Sequence, residues 1–337
     1  MEGTAGLAFV SVPATVSVLP RKGLRLLSPF LRKVLDAFAL AVVAWLGVGW
    51  GVRLTVRDAF PIASTVFYAS PWPVLAALGA ALCVVSSFRR RRIVTGAAAL
   101  LALGAAVGLF LSLALPPPAA SSPSDLRVVF WNVGRPTEDL PRVLGILRAH
   151  DADIIGIDET GDLTQEAYRS WQMAFPGYQL SRKRSSGMMI LTRGEILHTE
   201  KGSLGARGRF LESEVRLRGA LYRILLVDMA ASPLRSRRTA FRELLRRIDA
   251  DADGKLILMG DFNTPVDSVH FDVVHTRLAN AFETAGRGYS ATWPVPIPVM
   301  ALDHVWVDRE IEVTGCSLGF SLLSDHRLVA ATLRAGR

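Results

Sequence analysis

Three long apolar runs fill the first third of this chain and limit its folding more than any other feature. Val34 to Val52, Ala59 to Phe88 and Ile93 to Leu115 each approach or exceed the roughly 20 residues that cross the hydrocarbon of a bilayer. With so few charges, each run can satisfy its backbone groups in lipid only as helix. The middle run is broken by Pro71 and Pro73, which kink a helix or move its start. A buried helical hairpin is the competing reading. The first run, preceded by Arg21, Lys22, Arg25, Arg32 and Lys33, also has the outline of a signal peptide, but two further runs and no clear small-residue cleavage site favour a retained anchor.

The high apolar content, 50% with a mean hydropathy of +0.30, belongs to this region, and so does most of the net charge of +9. Residues 1–124 carry 11 basic and 3 acidic side chains against 28 and 27 in the remainder, or +8 and +1. A broad basic footprint for nucleic acid is therefore missing from the C-terminal part. The N-terminal cations and the run Arg89 to Arg92 flank opposite ends of a two-span hairpin, whereas the loop inside it holds only Arg53, Arg57 and Asp58. Positive flanks stay cytoplasmic. Three crossings then put everything after Leu115 outside the cytoplasm of a cell (inner) membrane; if the middle run does not span, the side inverts. Cys83 and Cys316 give no disulfide framework.

Residues 1–115 thus read as a membrane region with about three transmembrane helices. Residues 116–124, within "LPPPAASSPSD", read as a short stiff linker. From 125 to 337 the texture changes. Short apolar strands ("LRVVFWN", "DIIGIDE", "GMMILTR", "YRILLVDM", "KLILMGDFN", "LDHVWVD", "LVAATL") alternate with helical patterns near 138–150, 164–175, 235–249 and 269–283. That is an α/β or α+β domain.

Several strands end on groups a core does not select: Asn132, Glu159, Asp261 with Asn263, Asp303, and Asp325 beside His326. One Asn or Asp at a strand end makes an Asx-turn and a lone His is commonly structural. Together they are hard oxygen ligands, amides and one imidazole, a set suited to Mg²⁺ or Mn²⁺ rather than zinc.

In order and approximate spacing, "FWN", "GIDET", "GDFNTP", "LDHVWV" and "SDHRLV" resemble the motifs of the endonuclease/exonuclease/phosphatase (DNase I-like) superfamily, over about residues 125–335. The anchored layout resembles bacterial membrane-attached members. The resemblance implies a four-layered β-sandwich of two mixed sheets flanked by helices, preceded by the transmembrane helical region, and metal-dependent attack of water on a phosphate ester. It makes Glu159 the principal metal ligand with Asn132 and Asp325 nearby. Asp261 orients or deprotonates the water, Asn263 holds the phosphate or that water, and His326, oriented by Asp303, is the charged or proton-transferring partner. Its partners are then the bilayer and a phosphate-ester substrate, nucleic acid or phospholipid, with no protein partner evident.

One position departs from the pattern. Family members commonly carry a His, or in some a Tyr, at the end of the strand that reads "YRILLVDMAASP", and Met229 stands there, with Asp228 expected on the other side of the strand. A thioether cannot donate to phosphate. The chain is then less active, takes a donor from Arg182, Lys183, Arg184 or Arg209, or is an inactive module that binds a phosphorylated ligand or a partner. Arg235, Arg238, Arg242 and Arg246 recur at helical spacing and read as a solvated face. "SRKRSSG" (181–187) is read equally as a phosphate contact and as a charged hairpin loop. Tyr289 and Trp293 are candidates for the rim of the site. His150, His198, His270, His275 and His304 are read as structural.

Overall fold

The structure, a computed structural model, describes residues 29–89, 91–113, 122–136, 139–161, 164–183, 187–205, 208–250 and 253–335. Arg21, Lys22, Arg25, Arg90, Arg184 and most of the linker lie outside these residues.

The N-terminal region comprises α1 (Pro29–Leu54), α2 (Pro61–Ala69), α3 (Trp72–Phe88) and α4 (Arg92–Leu111). Two stretches, Lys33–Leu54 and Arg92–Leu111, are long and apolar enough to cross a membrane. The middle run is not one straight helix. It bends by 61° between α2 and α3, where Pro71, in extended conformation, caps α3 and Pro73 occupies its first turn. The 17-residue α3 is about 25 Å long at 1.5 Å per residue. Helices α1, α3 and α4 share a seam of Val42, Leu46, Leu75, Leu82, Ala98 and Ala105, while Phe38, Leu40, Leu100, Leu103 and Phe110 stay exposed. At one end Asp36 pairs with Arg89 and Arg91.

The other end is fastened to the C-terminal domain. Arg53 pairs with Asp267 and Arg57 with Asp272. The buried Asp58 carboxylate accepts from Ser268 Oγ at 2.6 Å and Val269 N at 2.9 Å, and from Tyr68 OH at 3.3 Å.

Two six-stranded sheets make that domain. The first has the order β11-β12-β1-β2-β4-β3 and the second β5-β6-β7-β8-β10-β9. The strands are β1 (Leu126–Asn132), β2 (Ile154–Asp158), β3 (Gln179–Lys183), β4 (Met188–Thr192), β5 (Glu195–Gly205), β6 (Gly208–Leu217), β7 (Ala220–Asp228), β8 (Lys255–Asp261), β9 (Leu278–Asn280), β10 (Asp303–Asp308), β11 (Ile311–Gly319) and β12 (Leu328–Ala335). Only β1 with β2 and β7 with β8 run parallel, so both sheets are mixed. Helices α5 (Leu140–Ala149) and α6 (Gln165–Ala174) cover the first sheet, and α7 (Arg238–Ile248) and α8 (Phe271–Val274) the second. The short α9 (Ala281–Ala285) follows β9. This is the four-layered sandwich expected above.

Strand alternation decides what each layer receives. Val128, Phe130, Ile224, Leu226, Ile257, Met259 and Val305 fill the space between the sheets. Their neighbours Val129 and Trp131 pack toward α5 and α6, and Leu225, Val227, Leu258 and Trp306 toward α7 and α8.

Candidate active site

The same alternation carries past the apolar residues to the strand ends. Counting by two from Phe130, Leu226, Met259 and Val305, which all lie between the sheets, brings Asn132, Asp228, Asp261 and Asp303 to the inter-sheet faces; Asp158 follows Ile154 in the same way. Register aligns them, with Asn132 opposite Asp158, and Asp261 opposite both Asp228 and Asp303. Three carboxylates on one sheet thus meet a carboxylate and an amide on the other. Gly260 lets β8 reach this point: its φ is +155°, and a Cβ there would lie 2.0 Å from the Val227 carbonyl oxygen.

Met229 is therefore not at the site. It is 1% exposed and belongs to the outer core with Phe241 and Phe262. The side chain turned inward is Asp228, and Arg209 Nη1 donates to its Oδ2 at 3.2 Å. The expectation that Met229 marks the missing donor is corrected by strand parity: the position facing the acids is a carboxylate paired to arginine. Of the alternative donors, Arg209 is thus at the site, Lys183, whose Nζ donates to the Gly202 carbonyl, is near enough to pull the Asp228 pKa down, and Arg182 stacks on Tyr168 at 3.6 Å.

His326, 6% exposed, places Nδ1 2.9 and 3.1 Å from the Asp303 oxygens and Nε2 3.8 Å from Asp261 Oδ2. Its main chain is fixed by Ser324 Oγ, which accepts from His326 N at 2.9 Å and donates to Asn132 O at 2.7 Å. Asn132 Nδ2 donates to Asp261 Oδ2 at 3.1 Å, and Asn263 N donates to Asp261 Oδ1 at 2.8 Å. Asn263 sits at a φ of +45° and turns Nδ2 to the Met229 carbonyl at 2.8 Å, tying the ends of β7 and β8 together. Asp325 lies on the rim: it is exposed, accepts from Trp293 Nε1 at 3.0 Å, and stands 4.0 Å from His326 Nε2. Glu159, at a φ of +53°, is half-exposed and faces Arg135 Nε at 3.3 Å.

Electrostatics marks the site as short of positive charge. Burial drives the Asp158 pKa well above the carboxylate range, and Asp228, Asp261 and Glu159 push it the same way. Burial and then Asp303 raise Asp261 to about 8, and burial raises Asp228 to about 6 against the pull of Arg209. Burial alone would lower His326, but Asp303, Asp261 and Asp325 outweigh it and lift it to about 10. Asp158 Oδ2 is buried without a hydrogen-bond partner, a costly state for an anion.

A hard divalent cation fits this oxygen-rich pocket and would relieve the mutual repulsion of its acids. Donor atoms of Asp261, Asp303 and His326 lie within 4.8 Å of one another. A histidine held protonated by Asp303 has no lone pair to offer, and Asp158, Glu159 and Asp228 add carboxylates near enough to one another to help burial raise the pKa values of Asp158 and Asp228. Of the residues read from the sequence, Asn132, Asp261, Asp303, His326 and Asp325 come together. Glu159, read as the principal metal ligand, lies at the edge facing Arg135, and Asn263, read as holding phosphate or water, has its amide on the Met229 carbonyl. Sequence reading missed Asp158, Asp228 and Arg237, a 3% exposed residue whose guanidinium donates to the carbonyls of Ala230 and, at 2.7 Å, Asn263. Parity from "ILLVD" and "IIGID" was the signal for the acids. Arg237 carried none beside its exposed neighbours Arg235, Arg238 and Arg242.

The sequence profile of the Endonuclease/Exonuclease/phosphatase family matches residues 129–326. No curated protein sequence matches the chain. Among solved structures the domain is similar to an endonuclease/exonuclease/phosphatase from Bacteroides vulgatus, with 16% identity, a TM-score of 0.54, and coverage of 63% of this chain and 99% of that one. It is similar to D. rerio TDP2 complexed with single strand DNA product, with 16% identity, a TM-score of 0.51, and 63% and 99% coverage. The Bacteroides thetaiotaomicron mannosyl-6-phosphatase Bt3783 gives 17% identity, a TM-score of 0.51, and 62% and 99% coverage.

Proposed function

The chain belongs to the endonuclease/exonuclease/phosphatase family, and from that premise we propose that it is a membrane-anchored, metal-dependent phosphohydrolase cleaving a phosphodiester outside the cytoplasm. The observation that carries this reading is the inter-sheet group of Asp158, Asp228, Asp261 and Asp303 facing His326, with a buried Asp158 oxygen lacking any partner. Asp158 and Glu159, with Asp228 beside them, would hold Mg²⁺ or Mn²⁺; Asn132 lies opposite Asp158, and Asp325 stands on the His326 side of the site. Bound there, the cation supplies charge neutralisation at the phosphate and a lowered pKa for water.

The chain's own groups divide the remaining work. Asp303 keeps His326 protonated, which makes His326 the donor to a phosphate or departing oxygen. Asp261, with a raised pKa and Asn132 and Asn263 N aligning its two oxygens, takes the proton of the attacking water. Arg209 and Arg135 stand over Asp228 and Glu159, where a phosphate oxygen can replace a carboxylate as their acceptor.

Anchoring rests on α1, α3 and α4. Asp36, Arg89 and Arg91 mark one end and the domain contacts of Arg53, Arg57 and Asp58 the other, which supports a cytoplasmic basic end and an outward domain. Activity of the full chain on bis-p-nitrophenyl phosphate and p-nitrophenyl phosphate with Mg²⁺ or Mn²⁺ tests the chemistry. Diester turnover abolished by Asp261→Asn is expected. Cation binding without turnover would instead make the domain a phosphate-ligand module. A reporter fused after Arg337 should be active only outside the cytoplasm.

A further inference from the structure

A single side chain joins the helical region to the end of the catalytic strand. Arg237 donates from Nη2 to the Asn263 carbonyl at 2.7 Å and from Nε to Tyr68 OH at 3.5 Å, so α2 stands one guanidinium away from the end of β8. The chain after Asn263 continues the contact, with Asp267 held by Arg53, and Ser268 and Val269 by Asp58. Val299 and Met300, just before Asp303, share one cavity with Trp72, Leu111 and Leu113. Trp72 opens α3 and Leu111 closes α4, so these are the helix ends away from Asp36, Arg89 and Arg91. The strand ends that carry the acids are therefore the part of the domain nearest the helices, and nearest any bilayer those helices cross.

The exposed apolar side chains of the domain gather at this same end. Among its described residues seven large ones are exposed, and four of them, Leu234, Ile297, Phe320 and Leu322, lie on loops that enter or leave the site. A fifth, Val273, follows Asp272, the partner of Arg57. Only Met173 on α6 and Leu197 on β5 lie elsewhere. Ile297 is near the tip of a hairpin closed by the bridge of Trp293 with Met300, and Phe320 and Leu322 lie on the connection that carries Asp325 and His326. Val295 N donates to Asp325 O and Arg327 N to Thr292 O, each at 2.8 Å, which makes hairpin and connection one ridge. Leu234 lies on the loop after β7, and β7 and β10 flank β8, so Leu234 and the ridge stand on opposite sides of Asp261. Ile297 and Leu322 are 74% and 76% exposed, a state that water disfavours and that the boundary of headgroups and acyl chains relieves. Arg235 and Arg238, exposed beside Leu234, suit the phosphates of that boundary.

We propose that the mouth of the site rests on the bilayer surface, with Ile297, Phe320 and Leu322 in the boundary of headgroups and acyl chains, and that the phosphodiester cleaved there is that of a glycerophospholipid. The substrate assignment rests on the phosphohydrolase reading above; the placement rests on the membrane reading of α1, α3 and α4 alone. With the rim in that boundary, a headgroup phosphate lies in the plane the rim meets, and an apolar rim offers a soluble polyanion no donors. Water adds to phosphorus as Asp261 takes its proton, one P–O ester bond breaks, and the departing oxygen takes the His326 proton. One product stays in the bilayer and the other leaves it.

The full chain with Cys83 and Cys316 replaced by alanine, reconstituted in nanodiscs of phosphatidylethanolamine and phosphatidylglycerol, tests the placement through single spin labels. Labels at Ile297→Cys and Leu322→Cys should collide more with oxygen than with an aqueous nickel chelate. A label at Glu310→Cys, in the turn at the far end of β10, should do the reverse. For the substrate, Ile297→Ser combined with Leu322→Ser, checked by circular dichroism for unchanged fold, should lower the ratio of phospholipid to bis-p-nitrophenyl phosphate turnover by about tenfold. Aqueous labels at both rim positions, cleavage of bis-p-nitrophenyl phosphate without cleavage of phospholipid, or an unchanged ratio would overturn the proposal. A chain that cleaves neither ester fails as a phosphohydrolase and loses the substrate assignment with it, while label depth still decides the placement.

Discussion

Replacing Asp303 by Asn probes the proton inventory of the site with the least change of shape. Asp303 is 3% exposed, and its two oxygens lie 2.9 and 3.1 Å from His326 Nδ1. A full charge about 3 Å away at an effective dielectric of about 20 is worth about 5 kcal/mol, or about 4 pH units. Asp261 and Asp325, 3.8 and 4.0 Å from Nε2, keep their own contributions, so the His326 pKa should fall from about 10 by about those 4 units. The basic limb of the kcat/KM profile for bis-p-nitrophenyl phosphate reports this proton. A bound cation lowers that limb in wild type and variant alike, so the displacement between them is the quantity to read. It should be toward lower pH, with kcat reduced by about 10²–10⁴. The stability linkage has a defined sign: a raised histidine pKa stabilises fully below about pH 6.5 and loses that contribution as pH rises through about 10. The stability gap between wild type and variant should therefore be widest in mild acid and close with rising pH. Coincident basic limbs, or a gap that widens with pH, would refute the assignment of His326 as the proton donor held by Asp303.

Two further outcomes follow from particular contacts. Arg209→Ala should lower kcat/KM for phosphodiesters by about 10²-fold with little change in the melting temperature, because Arg209 is exposed and Asp228, already raised to about 6 by burial, can take a proton once unpaired. Steady-state kinetics and a thermal melt together check this. Asp58→Ala leaves the Ser268 hydroxyl and the Val269 N–H without their acceptor, each worth about 1–3 kcal/mol when buried. Hydrogen exchange should accelerate across residues 264–272, and equal protection in the variant would show that the helical region does not brace this loop.

Much of this was legible because apolar periodicity is a long-range signal. The runs before and after Pro71 and Pro73 announced helices, and Ile154 to Ile157 or Leu256 to Met259 announced strands whose ends had to be polar for some other reason. The bend between α2 and α3 was half legible: the prolines marked it, but that α2 turns against the domain depends on Tyr68, Asp58 and Arg237 meeting across some 170 residues of sequence. Parity was the information misused. Counting by two from Ile224 and Leu226 turns Asp228 inward and Met229 outward, whereas matching by motif put Met229 at the site. Asp158 was passed over because its neighbour Glu159 answered the motif. Arg237 could not be found at all, since only the tertiary fold separates it from the exposed arginines around it.

The central claim is that water attacks phosphorus with Asp261 taking its proton and a divalent cation required. Hydrolysis of bis-p-nitrophenyl phosphate by the full chain in ¹⁸O-labelled water, followed by ³¹P spectroscopy, tests it most directly. The expected product is p-nitrophenyl phosphate carrying one labelled oxygen, formed with Mg²⁺ or Mn²⁺, absent after chelation and absent with Asp261→Asn. Label found in the nitrophenol, or turnover that survives chelation or the Asp261 substitution, would contradict it.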